Sequence, residues 1–151
     1  MADLFLTLSK DNRREALAVA ADRTGRPIHL LEKDVWVVWT LQTLFSSKLG
    51  EHLVFKGGTS LSKAYGVIKR FSEDVDLTYD IRALAPDLVG DNDEALPKTR
   101  SEEKHWTSEV RKRLPVWVAG SVEPVMARCA FNLFRRQSAS RTIRSTSTMK
   151  R

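Results

Sequence analysis

A Gly-Gly pair between a short apolar run and a helix-compatible segment, followed by two aspartates one residue apart, restricts this chain more than any other feature it carries. Residues 53–56 (Leu-Val-Phe-Lys) read as a strand, Gly57-Gly58 as a turn, and Ser60 to about Val67 as a helix. Glycines let a backbone approach a phosphate with no Cβ in the way. The following helix presents unpaired N–H groups and the positive end of its dipole to an anion. Thr59 and Ser60 add hydroxyl donors, and Lys63 lies one turn beyond Ser60. A lone Gly-Gly pair is more often an ordinary tight turn. A Walker-type loop fits poorly, because its second glycine is missing and Lys63 is followed by Ala64.

A second strand reads from Asp74 to Ile81. Asp74, Asp76, Thr78 and Asp80 fall on one face, and Val75, Leu77, Tyr79 and Ile81 on the other. The Cα atoms of Asp74 and Asp76 then lie roughly 6.5 Å apart on the same side. Two carboxylates so placed can hold one or two Mg²⁺ ions that bridge a nucleotide's phosphates. Charge neutralisation and alignment of an attacking hydroxyl are most of what phosphoryl or nucleotidyl transfer requires. Either aspartate alone would be read as an acid on a wet strand face, and Asp80 is read in that way.

Helices are expected on both sides of this unit. Ser9 is the N-cap expected for a helix running to about Ala21 and stopping by Gly25, with Pro27 just beyond. A longer helix is expected from about Leu30 to Lys48, ending at Gly50. Its Leu31, Val35, Val38, Leu41 and Phe45 form one face, widened by Trp36, Val37 and Trp39, which predicts the most buried helix of the domain. A polar loop from Ala85 to Thr99 precedes a helical region from Ser101 to Arg113, and Pro115 starts or kinks an apolar segment through about Phe134. The expected fold class is α+β, a short mixed sheet flanked by helices, with N-terminal helices first and the C-terminal part incomplete.

Charge divides the chain unevenly. Residues 124–151 hold seven bases and no acid, which leaves eighteen bases against all nineteen acids in the rest. The net charge of +6 therefore belongs to the end of the chain, and is no argument that the body binds nucleic acid. Residues 137–151, rich in Ser, Thr, Lys and Arg, are expected to form a disordered basic tail after a domain at 1–136. One cysteine, Cys129, excludes an internal disulfide, and three scattered histidines give no zinc or histidine metal site. No run reaches the roughly 18 apolar residues of a membrane span, and no secretory leader is recognised, so a cytoplasmic protein with no membrane partner is expected.

The order of turn, helix and Asp-x-Asp strand resembles the nucleotidyltransferase superfamily typified by DNA polymerase β. Two longer stretches are similar to the signature of the AbiEii/AbiGii toxin family. They are Phe55-Lys56-Gly57-Gly58-Thr59-Ser60-Leu61-Ser62-Lys63 and Arg70-Phe71-Ser72-Glu73-Asp74-Val75-Asp76-Leu77. Glu32-Lys33-Asp34 before an apolar helix resembles that family's N-terminal region.

The resemblance implies a nucleotidyltransferase-like core in a bacterial toxin of a type IV toxin–antitoxin or phage-defence system. It implies Mg²⁺, a nucleoside triphosphate substrate, an RNA (tRNA for some members) or protein acceptor, and a cognate antitoxin. By the same resemblance Gly57, Gly58 and Thr59 hold the triphosphate, with Ser60 and Lys63 beside them, and Asp74 and Asp76 hold the metal. Lys63 and Arg70 have an auxiliary phosphate-neutralising role, while Glu32, Lys33 and Asp34 support the site or serve as caps and ion pairs. Family members are about twice as long and carry a further lysine and acid downstream. The absence of any acid after Glu123 and the abrupt basic end lead to the expectation of a truncated or frameshifted enzyme. Such a chain is either an active transferase or a remnant that binds nucleotide or antitoxin without turnover.

Overall fold

The computed structural model describes residues 2–58, 60 and 74–148, with 139–148 described by backbone alone. Thr59, Lys63 and Arg70 lie outside the described residues. The chain divides into two compact units, Leu44–Val125 and the combination of Met1–Thr43 with Met126–Arg151.

The second of these units is helical. Helix α1 spans Ala2–Thr7 and α2 spans Lys10–Thr24. Ser9 caps α2 as the sequence predicts: its backbone is extended, and its hydroxyl accepts from the Asn12 amide at 3.2 Å. Gly25 closes the helix in the left-handed region at φ 66°, donating to the Ala21 carbonyl at 2.8 Å. Helix α3 runs over Ile28–Phe45, its first turn accepted by the Pro27 carbonyl. Its deepest side chains are Val37, Trp39 and Leu44. Leu31, Val35, Val38 and Leu41, the face read from the sequence, are half-buried, and Trp36 and Phe45 are exposed.

The core of this unit joins Ala2 and Leu6 of α1, Trp39 of α3 and Leu133, with Phe5, Val35, Val38, Met126, Cys129 and Ala130 around them. Met126, Cys129, Ala130 and Leu133 follow helical spacing on one face of the last helix. The Gln137 amide donates to the Leu6 carbonyl, so one of the orphan acceptors at the end of α1 is satisfied by a side chain.

The unit Leu44–Val125 holds the sheet. A 3₁₀ turn at Lys48–His52 follows α3, and it is capped by the Ser47 hydroxyl, which accepts from the Leu49 amide at 3.2 Å. Strand β1 is Leu53–Lys56, with the bounds the sequence predicts, and β2 is Asp76–Tyr79. Among the described residues they form a two-stranded antiparallel sheet within a mostly helical α+β fold, where the sequence predicts a mixed sheet. β2 is also shorter than the alternation from Asp74 to Ile81 suggests. At Asp80 the side chain turns back to accept from the Arg82 amide at 2.9 Å, which starts helix α4, Ile81–Leu84. A helix cap, not a wet strand position, is therefore what Asp80 supplies.

Residues 85–99 are more than a polar spacer. Pro86 opens helix α5, Pro86–Val89, at a position where its missing N–H costs nothing. Ala85, Val89 and Ala95 are buried, and Val89 and Ala95 join Trp106, Ile81 and Leu88 in a separate small core. Trp106 belongs to helix α6, Arg100–Trp117. The Thr99 hydroxyl accepts from the Glu102 amide at 3.2 Å while the Glu102 carboxylate accepts from the Lys98 amide at 2.7 Å, a reciprocal cap. Pro115 sits inside α6, where it removes the amide that would bond the Arg111 carbonyl, and one turn on Val118–Val122 takes π-helical geometry. Helix α7 then runs over Glu123–Thr148, so helical backbone continues past Gln137 into the stretch expected to be a tail.

Candidate active site

The strand register sets where several of the residues singled out from the sequence lie. β1 and β2 pair Leu53 with Tyr79, Val54 with Thr78, Phe55 with Leu77 and Lys56 with Asp76. Residues directly opposite in an antiparallel pair share a face. Leu53, Phe55, Leu77 and Tyr79 therefore lie on one side, all half-buried, and Tyr79 meets His52 edge-on and Trp117 at a tilt, at 5.7 and 4.4 Å between ring centroids. Val54, Lys56, Asp76 and Thr78 lie on the other side, where Val54, Lys56 and Asp76 are exposed.

The chain leaves β1 at Gly57, directly beyond the Lys56–Asp76 pair, and turns there toward Gly58 and Ser60. Gly57 has φ +77° and lies so close to Asp76 that a Cβ there would collide with Asp76 Oδ2. Both features demand glycine: the left-handed backbone, and a carboxylate pressed against the α-carbon. The turn and the aspartate strand are thus in van der Waals contact. Asp74 follows at the entry to β2, exposed and already engaged in an interaction of its own.

Ser60 is 4% exposed, and its hydroxyl donates to the Gly57 carbonyl at 2.9 Å. That bond holds the turn, so the hydroxyl is committed to the backbone instead of being held out as a phosphate donor. Lys56 is the residue that spacing did not single out. It stands across from Asp76 on the exposed face. Only the pairing register reveals it.

Among the described residues, no group of three or more His, Cys, Asp or Glu side chains is arranged to hold a metal ion. Two carboxylates fit Mg²⁺ nonetheless, since that ion is commonly held by one or two carboxylates and completes its octahedron with substrate phosphates and water. A cavity of about 590 Å³ lies elsewhere, along the face of α6 that carries Arg100, Lys104, Ser108 and Arg111. No helix among the described residues is long and apolar enough to cross a membrane.

Comparison with protein families gives one decisive match: residues 39–143 fit the family model described as nucleotidyl transferase AbiEii toxin, type IV TA system. The chain belongs to the AbiEii nucleotidyltransferase family. The match contains the Gly-Gly turn, both aspartates and all of α6, and it reaches beyond Gln137. Glu32, Lys33 and Asp34 fall before its first residue. No curated protein and no solved structure matches the chain. Family membership makes the chain a nucleotidyltransferase by descent and a member of a type IV toxin–antitoxin system.

Proposed function

We propose that this AbiEii chain transfers a nucleotide from a nucleoside triphosphate to an RNA or protein hydroxyl, with Mg²⁺ held by Asp74 and Asp76. Gly57, Gly58 and Thr59 cradle the triphosphate, Lys63 neutralises it, and Ser60 braces the turn. The observation that carries this reading is the contact of Gly57 with Asp76, because a phosphate seated over the turn would be within reach of a metal on that carboxylate. Magnesium supplies charge neutralisation and polarises the phosphoryl oxygens. In the reaction the acceptor oxygen bonds to the α-phosphorus, the bond from that phosphorus to the bridging oxygen breaks, and pyrophosphate leaves. The acceptor proton is released to water. The chain's own residues bind and orient; the helix start and Lys56 favour the accumulating negative charge.

Replacing Asp74 or Asp76 by Asn keeps size and polarity while removing the charge. Each change is expected to lower transfer of labelled nucleotide at least about a hundredfold without altering the thermal melt. Full activity in either variant would remove that residue from the metal site. The alternative is binding of nucleotide or antitoxin without turnover. Saturable Mg²⁺–nucleotide binding with no product on any RNA or protein acceptor would select it.

A further inference from the structure

The outer face of α6 is a charged patch that the reading above does not use. Arg100, Lys104, Thr107, Ser108 and Arg111 are all exposed and recur at helical spacing, on the side away from buried Trp106. That stripe carries three cations and two hydroxyls, with exposed Glu103 as the carboxylate beside them. The acids of α6 lie mainly to the side: Glu102 accepts from the Lys98 amide, and Glu109 holds Lys112 at 2.8 Å and Arg113 at 3.5 Å. Among the described residues, Arg100, Lys104 and Arg111 belong to none of the ion pairs.

The geometry suits a polyanion. At 1.5 Å of rise per residue, Arg100 to Lys104 is about 6 Å along the axis and Lys104 to Arg111 about 10 Å. A nucleic-acid strand presents several phosphates over that length. The stripe has no apolar side chain, whereas a helix that lies on a membrane buries an apolar face beneath its cations. It also has no aromatic side chain, so it can grip a backbone but cannot stack bases. Hydroxyls at Thr107 and Ser108 add partners for 2′-hydroxyl groups, which distinguish RNA from DNA.

We propose that the outer face of α6 docks the sugar-phosphate backbone of an RNA strand, through Arg100, Lys104 and Arg111, without regard to sequence. The proposal rests on the reading that the acceptor is RNA. Its test compares the full chain with two variants of equal net charge. One is Arg100→Gln/Lys104→Gln/Arg111→Gln. The other, a control on exposed positions of α2, is Lys10→Gln/Arg14→Gln/Arg23→Gln.

Binding of a labelled mixed-sequence single-stranded RNA is measured against salt concentration. The α6 variant should lose at least about tenfold in affinity, with a salt slope shallower by about two, as expected for three lost phosphate contacts on a single strand. The α2 control should change less than about threefold. No binding by the parent chain, equal losses in both variants, or an unchanged α6 variant would each overturn the proposal. So would tighter binding of DNA of the same sequence, or stripe-dependent binding to phosphatidylserine vesicles in place of RNA. Failure of the active-site reading is separable: the α6 variant should keep its melt and its Mg²⁺–nucleotide response, while Asp76→Asn should keep RNA binding and lose that response.

Discussion

At the scale of single residues the proposed site turns on Gly57. Its positive φ and its contact with Asp76 make Gly57→Ala a sharper change than the loss of one hydrogen atom suggests. The left-handed backbone alone costs about 1–2 kcal/mol for a residue with a Cβ, and the methyl group must also push the Asp76 carboxylate aside. Gly57→Ala is therefore expected to lower the melting temperature and to abolish Mg²⁺-dependent nucleotide binding. Gly25→Ala provides the comparison, because it has a similar φ with open space around it and should lower stability alone. Nucleotide titrations of the two variants check the difference. The sequence made Gly57, Asp74 and Asp76 visible through residue type and order. It could not show that Ser60 spends its hydroxyl on the Gly57 carbonyl, because burial is decided by tertiary contacts.

Among the elements, α6 is held by its start and by ion pairs to its neighbours. Thr99→Ala removes the hydroxyl that accepts from the Glu102 amide and should cost about 1 kcal/mol, measured by denaturant unfolding. Farther along, Arg113 binds both carboxylate oxygens of Asp87, one of them at 2.7 Å, which clamps α5 to α6. The Arg113 hydrogen bond holds the Asp87 carboxyl below its ordinary value, and the Lys112 hydrogen bond does the same for Glu109. A carboxyl lowered in the folded state stabilises it at neutral pH, and that contribution is lost as pH falls through the lowered value. Stability is thus expected to drop below the usual carboxylate range, about pH 4, and Asp87→Asn should flatten part of that drop. The effect is small because these groups face solvent and are screened; melts from pH 7 to pH 3 measure it.

Element boundaries were legible where a local signal sets them. Ser9 and Gly25 bound α2, and Leu53–Lys56 is a strand as its residues indicate. Boundaries set by competition were not. At Asp80 a capping carboxylate overrides a continuing alternation, which shortens β2. The Ala85–Thr99 stretch, polar on average, buries the few apolar residues it has against Trp106, a contact between positions far apart in sequence.

Across the whole molecule, each of two compact units has its own core. The chain passes between them at Thr43–Leu44, within α3, and at Val125–Met126, within α7. Trp106→Ala should destabilise Leu44–Val125 by about 3–5 kcal/mol, and Leu6→Ala should cost the other unit about 2–5 kcal/mol. Hydrogen exchange resolved along the sequence would show each loss of protection concentrated in the unit that carries the change. Both proposed sites, the Gly-Gly turn with its aspartates and the basic face of α6, belong to the unit Leu44–Val125. Its local charge pattern was hidden by the near-neutral total of the body, because a sum along the sequence mixes the outer face of α6 with its acidic flanks.

The most direct test of the account is a thermal melt of the chain and of Asp76→Asn, each with and without Mg²⁺ and each nucleoside triphosphate. The site described here predicts a melt raised by Mg²⁺ together with at least one triphosphate, by the equivalent of about 2.7 kcal/mol at a hundred times Kd, and no such rise in Asp76→Asn. No rise with any triphosphate, or an equal rise in the variant, would contradict a nucleotide site built on Gly57 and Asp76.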